Sequence, residues 1–225
     1  MKTIHTSQGK IIEVNLEANL LKKNDVMALE NLALFDKHNI HAVDVLGSIG
    51  SGKTSTIMQL VEVLTPDIRI AAIAGDLTTS IDADRIRGKG AEVLQINTDG
   101  GCHLDANLVR KAMEILDLDQ YDLFLIENVG NLICPGEFPV GTHQRMVVVS
   151  VTEGPYMIVK HPYILREASS LAINKIDLAD AMDVDPEALR KDALKIKPDL
   201  NVIFTNGRTG DGIPELVEAL NLKKK

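Results

Sequence analysis

The run GSIGSGKT, Gly47 to Thr54, restricts what this chain can fold into more than any other stretch. It fits G-x-x-x-x-G-K-[ST], follows the apolar run HAVDVL and opens an amphipathic one. Glycines at these spacings let the backbone wrap tightly enough to turn several N–H groups toward one point. A helix starting near Lys53 aims the positive end of its dipole at the same point. That geometry suits a phosphate. Gly47, Ser48, Ile49, Gly50, Ser51, Gly52, Lys53 and Thr54, with the adjoining Ser55, are therefore expected to cradle the phosphates of a nucleotide. Lys53 adds a cation beside the β- and γ-phosphates, and the Thr54 hydroxyl is placed to ligate Mg²⁺.

Such a loop needs a sheet behind it, and the rest of the chain supplies the pattern. Strand candidates fall at 41–47, 68–75, 91–97, 122–128, 145–151, 170–175 and 201–206. Several are apolar on both faces, as in a sheet covered by helices on both sides. Helical stretches fall at 53–64, 80–89, 105–117, 161–168, 186–196 and 213–221. The alternation predicts an α/β fold: a doubly wound, mainly parallel sheet of about seven strands with helices on both faces. Residues 40–225 form this domain, and residues 1–39 a strand/helix extension packed on it. Within the extension, KIIEVN is a candidate short strand and Leu16 to His38 a helix. Its apolar pairs Leu20/Leu21, Met27/Ala28 and Leu34/Phe35 recur on one face. That face packs on the sheet or, alternatively, meets a second subunit.

Composition excludes several partners. The net charge is -8, and the basic cluster Lys223-Lys224-Lys225 at the end is a solvated tail, so no nucleic acid is expected. No apolar run approaches the ~18 residues of a membrane helix. The start, MKTIHTSQGK, lacks the apolar core of a signal peptide. Two cysteines are too few for a disulfide framework. A cytoplasmic protein with reduced thiols is expected.

Mg²⁺ also needs carboxylates near the same strand ends. Asp76 ends IAAIAGD and Glu127 ends DLFLIE, so both belong at the carboxyl edge of the sheet. Gly130, three residues after Glu127, suits a loop whose N–H senses the γ-phosphate. Generic GTPases have D-x-x-G there and this chain has E-x-x-G, one methylene longer. The base is read from Asn174-Lys175-Ile176-Asp177, an N-K-x-D run after a late strand. Guanine presents two adjacent donors, N1–H and N2–H₂, which one carboxylate, Asp177, can accept together. Adenine mismatches such a site, and paired hydrogen bonds discriminate strongly. Lys175 lays its stem over the base, and Asn174 ties this loop to the phosphate loop. Thr205, Asn206 and Gly207 are expected to present N–H groups to guanine O6. The nucleotide is then GTP.

Cys102 and His103 stand side by side in TDGGCHLDA, and Cys134 lies in NLICPGEF. Thiolate and imidazole suit Zn²⁺ and Ni²⁺. On residue types alone, small buried thiols are the readier reading. Taken together, GSIGSGKTS, AGDLTTSIDADRIR, TDGGCHLDA, IENVGNLICP and INKIDL resemble the hydrogenase maturation nickel-insertion GTPases, the HypB family, over roughly residues 40 to 215. The resemblance implies that Cys102, His103 and Cys134 bind Zn²⁺ or Ni²⁺. It also implies a homodimer promoted by GTP, a hydrogenase precursor as target and an accessory nickel-insertion protein as partner. Some members carry an amino-terminal cysteine cluster or a histidine-rich tract. Here the first 40 residues hold no cysteine and only His5 and His38, so nickel transfer rests on the Cys102/His103/Cys134 site.

The expected protein is a slow GTPase metallochaperone. Thr54, Asp76 and Glu127 surround Mg²⁺, Lys53 stabilises the phosphates, and Asp76, by analogy with ATPases and GTPases of similar layout, orients the attacking water. Lys160 is a further candidate for a nucleotide or cross-subunit contact. Chaperones for urease or cobalamin enzymes are the nearest alternative. A kinase with the same loop, or a structural zinc protein, are the more distant ones.

Overall fold

In the computed structural model of the chain, residues 8–76, 80–98 and 101–222 are described, those at 8–18 and 76 by backbone alone. The strands are β1 (His41–Leu46), β2 (Ile70–Asp76), β3 (Glu92–Asn97), β4 (Leu123–Glu127), β5 (Gln144–Ser150), β6 (Ser170–Asn174) and β7 (Asn201–Phe204). They form one seven-stranded sheet in the order β3-β2-β4-β1-β5-β6-β7. Every ladder is parallel, with Asp44 of β1 level with Ile126 on one side and Arg145 on the other. The helices are α1 (Gln8–Lys37), α2 (Lys53–Leu64), α3 (Ile81–Arg87), α4 (Ala106–Ile115), α5 (Cys134–Glu137), α6 (Met157–Lys160), α7 (Pro186–Ile196) and α8 (Ile213–Ala219).

The double-sided apolar strands have a simple cause. Val43 and Val45 of β1 face Ile57 and Leu60 of α2, Ile86 of α3 and Leu216 of α8. On the opposite face, Ala42 and strand residues Ile73, Phe124 and Ile126 pack with Phe35 of α1 and with Val109 and Met113 of α4. Farther along, Val147, Val149, Leu171 and Ile173 are covered by Ile164, Leu165 and Leu189. Each fully buried aliphatic side chain contributes roughly 1.5–3 kcal/mol relative to exposure, so both helix layers hold the sheet in place.

Two segments differ from expectation. KIIEVN is helical: α1 begins at Gln8 and runs unbroken to Lys37, so the short strand is corrected to helix. No glycine or proline interrupts residues 10–37, and an isolated strand has no ladder partner. Ala28 and Phe35 turn inward, whereas Leu20, Val26 and Leu29 are exposed. The helix is pinned by Asn31, whose amide donates to Ala106 O at 2.8 Å and Val140 O at 3.0 Å. The second difference is the expected helix at 161–168. The four-residue α6 ends at Lys160, before that span, and a 3₁₀ turn, Pro162–Leu165, follows within it. Pro162 offers no N–H and pushes the preceding residue out of the α region, and His161 takes φ -128°, ψ 52°.

What matters for function is the carboxyl rim. Strand order reverses about β1, with β4 on one side and β5 on the other, and open α/β sheets bind ligands outside such a point. The loops after β3, β4, β1, β6 and β7 all leave from this rim.

Candidate functional site

The glycine loop leaves β1 at Gly47 and enters α2 at Lys53. Gly52 is its hinge, with φ 102° in the left-handed region. A Cβ on Gly52 would sit 2.1 Å from the side-chain nitrogen of Asn174, so no larger residue fits. Lys53 is buried, and its ammonium donates to Gly47 O at 3.1 Å and Ser48 O at 3.0 Å. The lysine thus closes the loop into a ring around its own charge. Ser48 donates its hydroxyl to Glu153, which also accepts from Ser150 N–H, tying the loop to the end of β5.

Beside the loop is a cavity of about 420 Å³ lined by Lys53, Thr54, Ser55, Glu127 and Gly130, among others. The Thr54 hydroxyl donates to Glu127 Oε1 at 2.8 Å. Glu127 Oε2 is buried with no hydrogen-bond partner among the described residues. Burial pushes the Glu127 carboxyl up to about 7, against the opposing pull of the Lys53 charge and the Thr54 hydrogen bond. A hard oxygen pair in which one oxygen lacks a partner suits Mg²⁺. Gly130 lies against the loop: a Cβ there would meet Ile49 Cγ1 at 2.4 Å. An isolated bridge joins Gly47 to Asn131, so the segment after β4 follows the phosphate loop closely. Asp76 ends β2, and its side chain lies outside the described residues, so its expected part in metal and water positioning lies there too. Lys160 is exposed and is not among the residues lining this cavity.

A second cavity of about 290 Å³ adjoins the first and is lined by Asn174, Lys175, Asp177, Asn206, Gly207 and Arg208, together with Gly52 and Ser55. Asn174 Nδ2 donates to Ser51 O at 2.9 Å, and Asn174 Oδ1 accepts from Gly207 N–H at 2.9 Å. Lys175 takes the left-handed conformation at φ 58° and donates to Gly50 O at 2.6 Å. Asp177 meets the exposed Arg208 at 3.2 Å. The N–H groups at 205–207, expected to face guanine O6, have partners within the chain. Thr205 N–H donates to Ile173 O, Asn206 N–H to Asp211 O and Gly207 N–H to Asn174 Oδ1. Asn206 and Gly207 still line the cavity, while Thr205 is buried beneath it.

On the other side of the phosphate loop, Cys102, His103 and Cys134 come together. One ligand atom from each lies within 4.8 Å of the other two. Cys102 Sγ is 3.4 Å from His103 Nδ1. The loop after β3 reaches across β2 to do this. Leu104, fully buried, anchors it, and Asp105 caps α4 by accepting from Leu108 N–H at 2.8 Å. Cys134 opens α5, and Phe138 just beyond it stacks on His103, with ring centroids 4.1 Å apart. The hydrogen bond with Cys134, with burial behind it, raises the Cys102 thiol above its ordinary value. Burial lowers His103, partly offset by the charge of Asp105, which keeps the imidazole neutral and able to donate a lone pair. Two thiols and an imidazole suit Zn²⁺ or Ni²⁺, and three ligands leave one position of a tetrahedron open.

Four contributors were not anticipated from sequence. Asp82 and Arg85 of α3 line the phosphate cavity, Phe138 supports His103, and Asn128 is buried between the two sites. The i,i+3 spacing of Asp82 and Arg85 in SIDADRIR offered a signal. Phe138 and Asn128 act through tertiary contacts that spacing does not reveal.

A glycine loop closed by its own lysine, on the switch point of a parallel sheet, places the chain among the P-loop nucleotide hydrolases. What sets it apart is a thiol–imidazole cluster one loop away. Residues 41–204 match the family described as CobW/HypB/UreG, nucleotide-binding domain. The chain is 45% identical over 212 residues to the probable hydrogenase maturation factor HypB of Methanocaldococcus jannaschii, covering 94% of this chain and 96% of that one. HypB of Archaeoglobus fulgidus superposes with a TM-score of 0.83 at 38% identity, covering 89% of this chain and 98% of that one. HypB of Helicobacter pylori in complex with nickel gives 0.83 at 31% identity, covering 89% and 94%. The chain belongs to the CobW/HypB/UreG family, and within it to HypB.

Proposed function

We propose that this chain is a GTP-hydrolysing metallochaperone that delivers nickel during assembly of a nickel–iron hydrogenase. The observation that carries the proposal is the convergence of Cys102, His103 and Cys134 to within 4.8 Å on the same rim as the phosphate loop. The relatives named as hydrogenase maturation factors, one of them in complex with nickel, support the target and the cargo. Nickel is here the substrate, held by two thiolates and an imidazole and passed on. Zn²⁺ fits the same donors.

In this reading the phosphates lie on Gly47–Thr54, with the Lys53 ammonium at the β- and γ-oxygens. Mg²⁺, when bound, neutralises charge on those oxygens. Thr54 and Glu127 would hold it, with Asp76 as the third contributor. Asp76 also orients the attacking water, and Gly130 N–H reads the γ-phosphate. Asn174, Lys175 and Asp177 bind guanine, Asp177 exchanging its exposed Arg208 partner for the base. Catalysis of this kind is positioning and charge stabilisation, so turnover without a partner is slow, on the order of 10⁻⁴ to 10⁻² per second. The protein acts in the cytoplasm as a homodimer promoted by GTP. Its partners are a hydrogenase precursor and an accessory nickel-insertion protein.

The test measures nickel content and GTP turnover on the same preparations of the wild type and Cys134→Ala. The proposal expects the variant to lose nickel and keep GTP turnover. Wild-type protein that binds no nickel, or that turns over ATP in preference to GTP, contradicts it.

A further inference from the structure

Between the two sites lies a buried polar chain, one member of which, Asn128, also borders the phosphate cavity. Asp44 is fully buried in the middle of β1, three residues before the phosphate loop. Its Oδ2 accepts from Arg145 Nε of β5 at 3.1 Å, and its Oδ1 from Asn128 Nδ2 at 3.3 Å. Asn128, also fully buried, follows Glu127 and precedes Gly130 by two residues. Its Oδ1 accepts from Leu104 N–H at 2.9 Å and from its own neighbour Val129 N–H at 3.0 Å. Its backbone N–H donates to Val45 O at 3.1 Å. Leu104 is the residue after His103. Arg145 reaches on to Gly136 O at 3.5 Å, two residues past Cys134.

The arrangement has a mechanical consequence. Both ends of the Asn128 amide are committed, so its side chain moves as one body with the segment from Glu127 to Gly130. That segment meets Ile49 of the phosphate loop at Gly130, and Asn131 just beyond it bridges to Gly47. A shift there carries the Asn128 carbonyl oxygen, and with it the Leu104 N–H beside the Cys102–His103 pair. A buried N–H that loses its acceptor is costly, so Leu104 follows instead of letting go. The Asp44–Arg145 pair keeps the amide from flipping, because the flipped form would set an oxygen against the Asp44 carboxylate.

We propose that Asn128, oriented by the Asp44–Arg145 pair, is the positioning residue through which the nucleotide's state sets the geometry of the Cys102/His103/Cys134 metal site. The proposal rests on the metal reading given above and adds the route of coupling. The competing route is the covalent one, along the chain from Glu127 to Cys134, which needs no Asn128 side chain.

Cobalt(II) serves as the probe, read by its thiolate charge-transfer absorption. Full-length protein is titrated without nucleotide, with GDP and with a non-hydrolysable GTP analogue. In the wild type, cobalt affinity is expected to differ between nucleotide states by roughly fivefold or more, the usual scale of coupled sites. In Asn128→Ala the thiolate band remains, while the ratio between states, read with each nucleotide at saturation, falls toward one. Circular dichroism verifies that the variant is folded. If alanine does not fold, Asn128→Ser, whose short hydroxyl cannot span both partners, is read the same way. A variant that keeps the wild-type ratio overturns the proposal and assigns coupling to the chain leading to Cys134. A wild type that binds cobalt equally in all states overturns it too, with the metal reading intact. A wild type with no thiolate band removes the metal reading itself.

Discussion

Cys102 and Cys134 meet in the thiol–imidazole cluster, and that makes them the residues whose removal is most specific. Phe138 stacks on His103, and none of the three ligands is among the described residues lining the phosphate cavity, so Cys102→Ala is expected to lower nickel affinity at least about tenfold, while nucleotide affinity stays within about threefold. Competition with a metal chelator, alongside nucleotide titration, measures both; equal losses in the two affinities would make the cluster structural. Glu127 predicts a pH effect. Its carboxyl keeps a proton up to about 7 in the folded chain, against an ordinary 4.5. Between those values the folded chain binds more protons than the unfolded one, so the nucleotide-free, metal-free protein loses stability as pH rises through that window. The contribution is about 3 kcal/mol at most, present in full below the unfolded value and gone above the folded one. Urea unfolding across the window reads the slope, and Glu127→Gln is expected to flatten it; a wild type that gains stability over the same range contradicts the assignment.

At the scale of elements, the loop after β6 holds the loop after β1. Asn174 bonds Ser51 O and Gly207 N–H at once, and Lys175 adds Gly50 O. Asn174→Ala removes three buried hydrogen bonds, the third from the Thr205 hydroxyl, and is expected to weaken guanine nucleotide binding by roughly 10- to 100-fold, with cobalt or nickel affinity in the nucleotide-free state unchanged. Fluorescent nucleotide titration checks this, and wild-type affinity in the variant would show that the phosphate loop stands alone. The elements themselves were largely legible in sequence, because strands covered on both faces must be apolar throughout, as LFLIE and VVVS are. Where the pattern misled, a single residue or a missing partner decided. Pro162 broke the helix expected at 161–168, and KIIEVN, alternating like a strand, had no ladder to join and continued α1. Thr205, Asn206 and Gly207 stand in the turn after β7, and their N–H groups bond within the chain, which spacing alone does not reveal.

For the whole molecule, the rim runs from the thiol–imidazole cluster through the phosphate loop to the cavity beside Asn174 and Asp177, all on the carboxyl ends of one sheet. The residue types of the cluster were legible in sequence, but their meeting depends on the strand order β3-β2-β4, which lets the β3 loop cross β2. Ile49, Ile81 and Ile133 are exposed along this rim, at 79%, 63% and 53%, where a second copy could cover them. The proposed GTP-dependent dimer therefore predicts that Ile133→Asp shifts sedimentation toward monomer in the presence of a GTP analogue, while the GDP-bound protein is unchanged; an analogue-bound wild type that sediments as a monomer removes the dimer. The central claim concerns the metal itself, and nickel K-edge X-ray absorption on the full-length protein loaded with one equivalent tests it most directly. The account predicts a first shell containing two sulfurs and one imidazole nitrogen, with one sulfur lost in Cys134→Ala. A shell of oxygen and nitrogen alone, unchanged by that substitution, would contradict it.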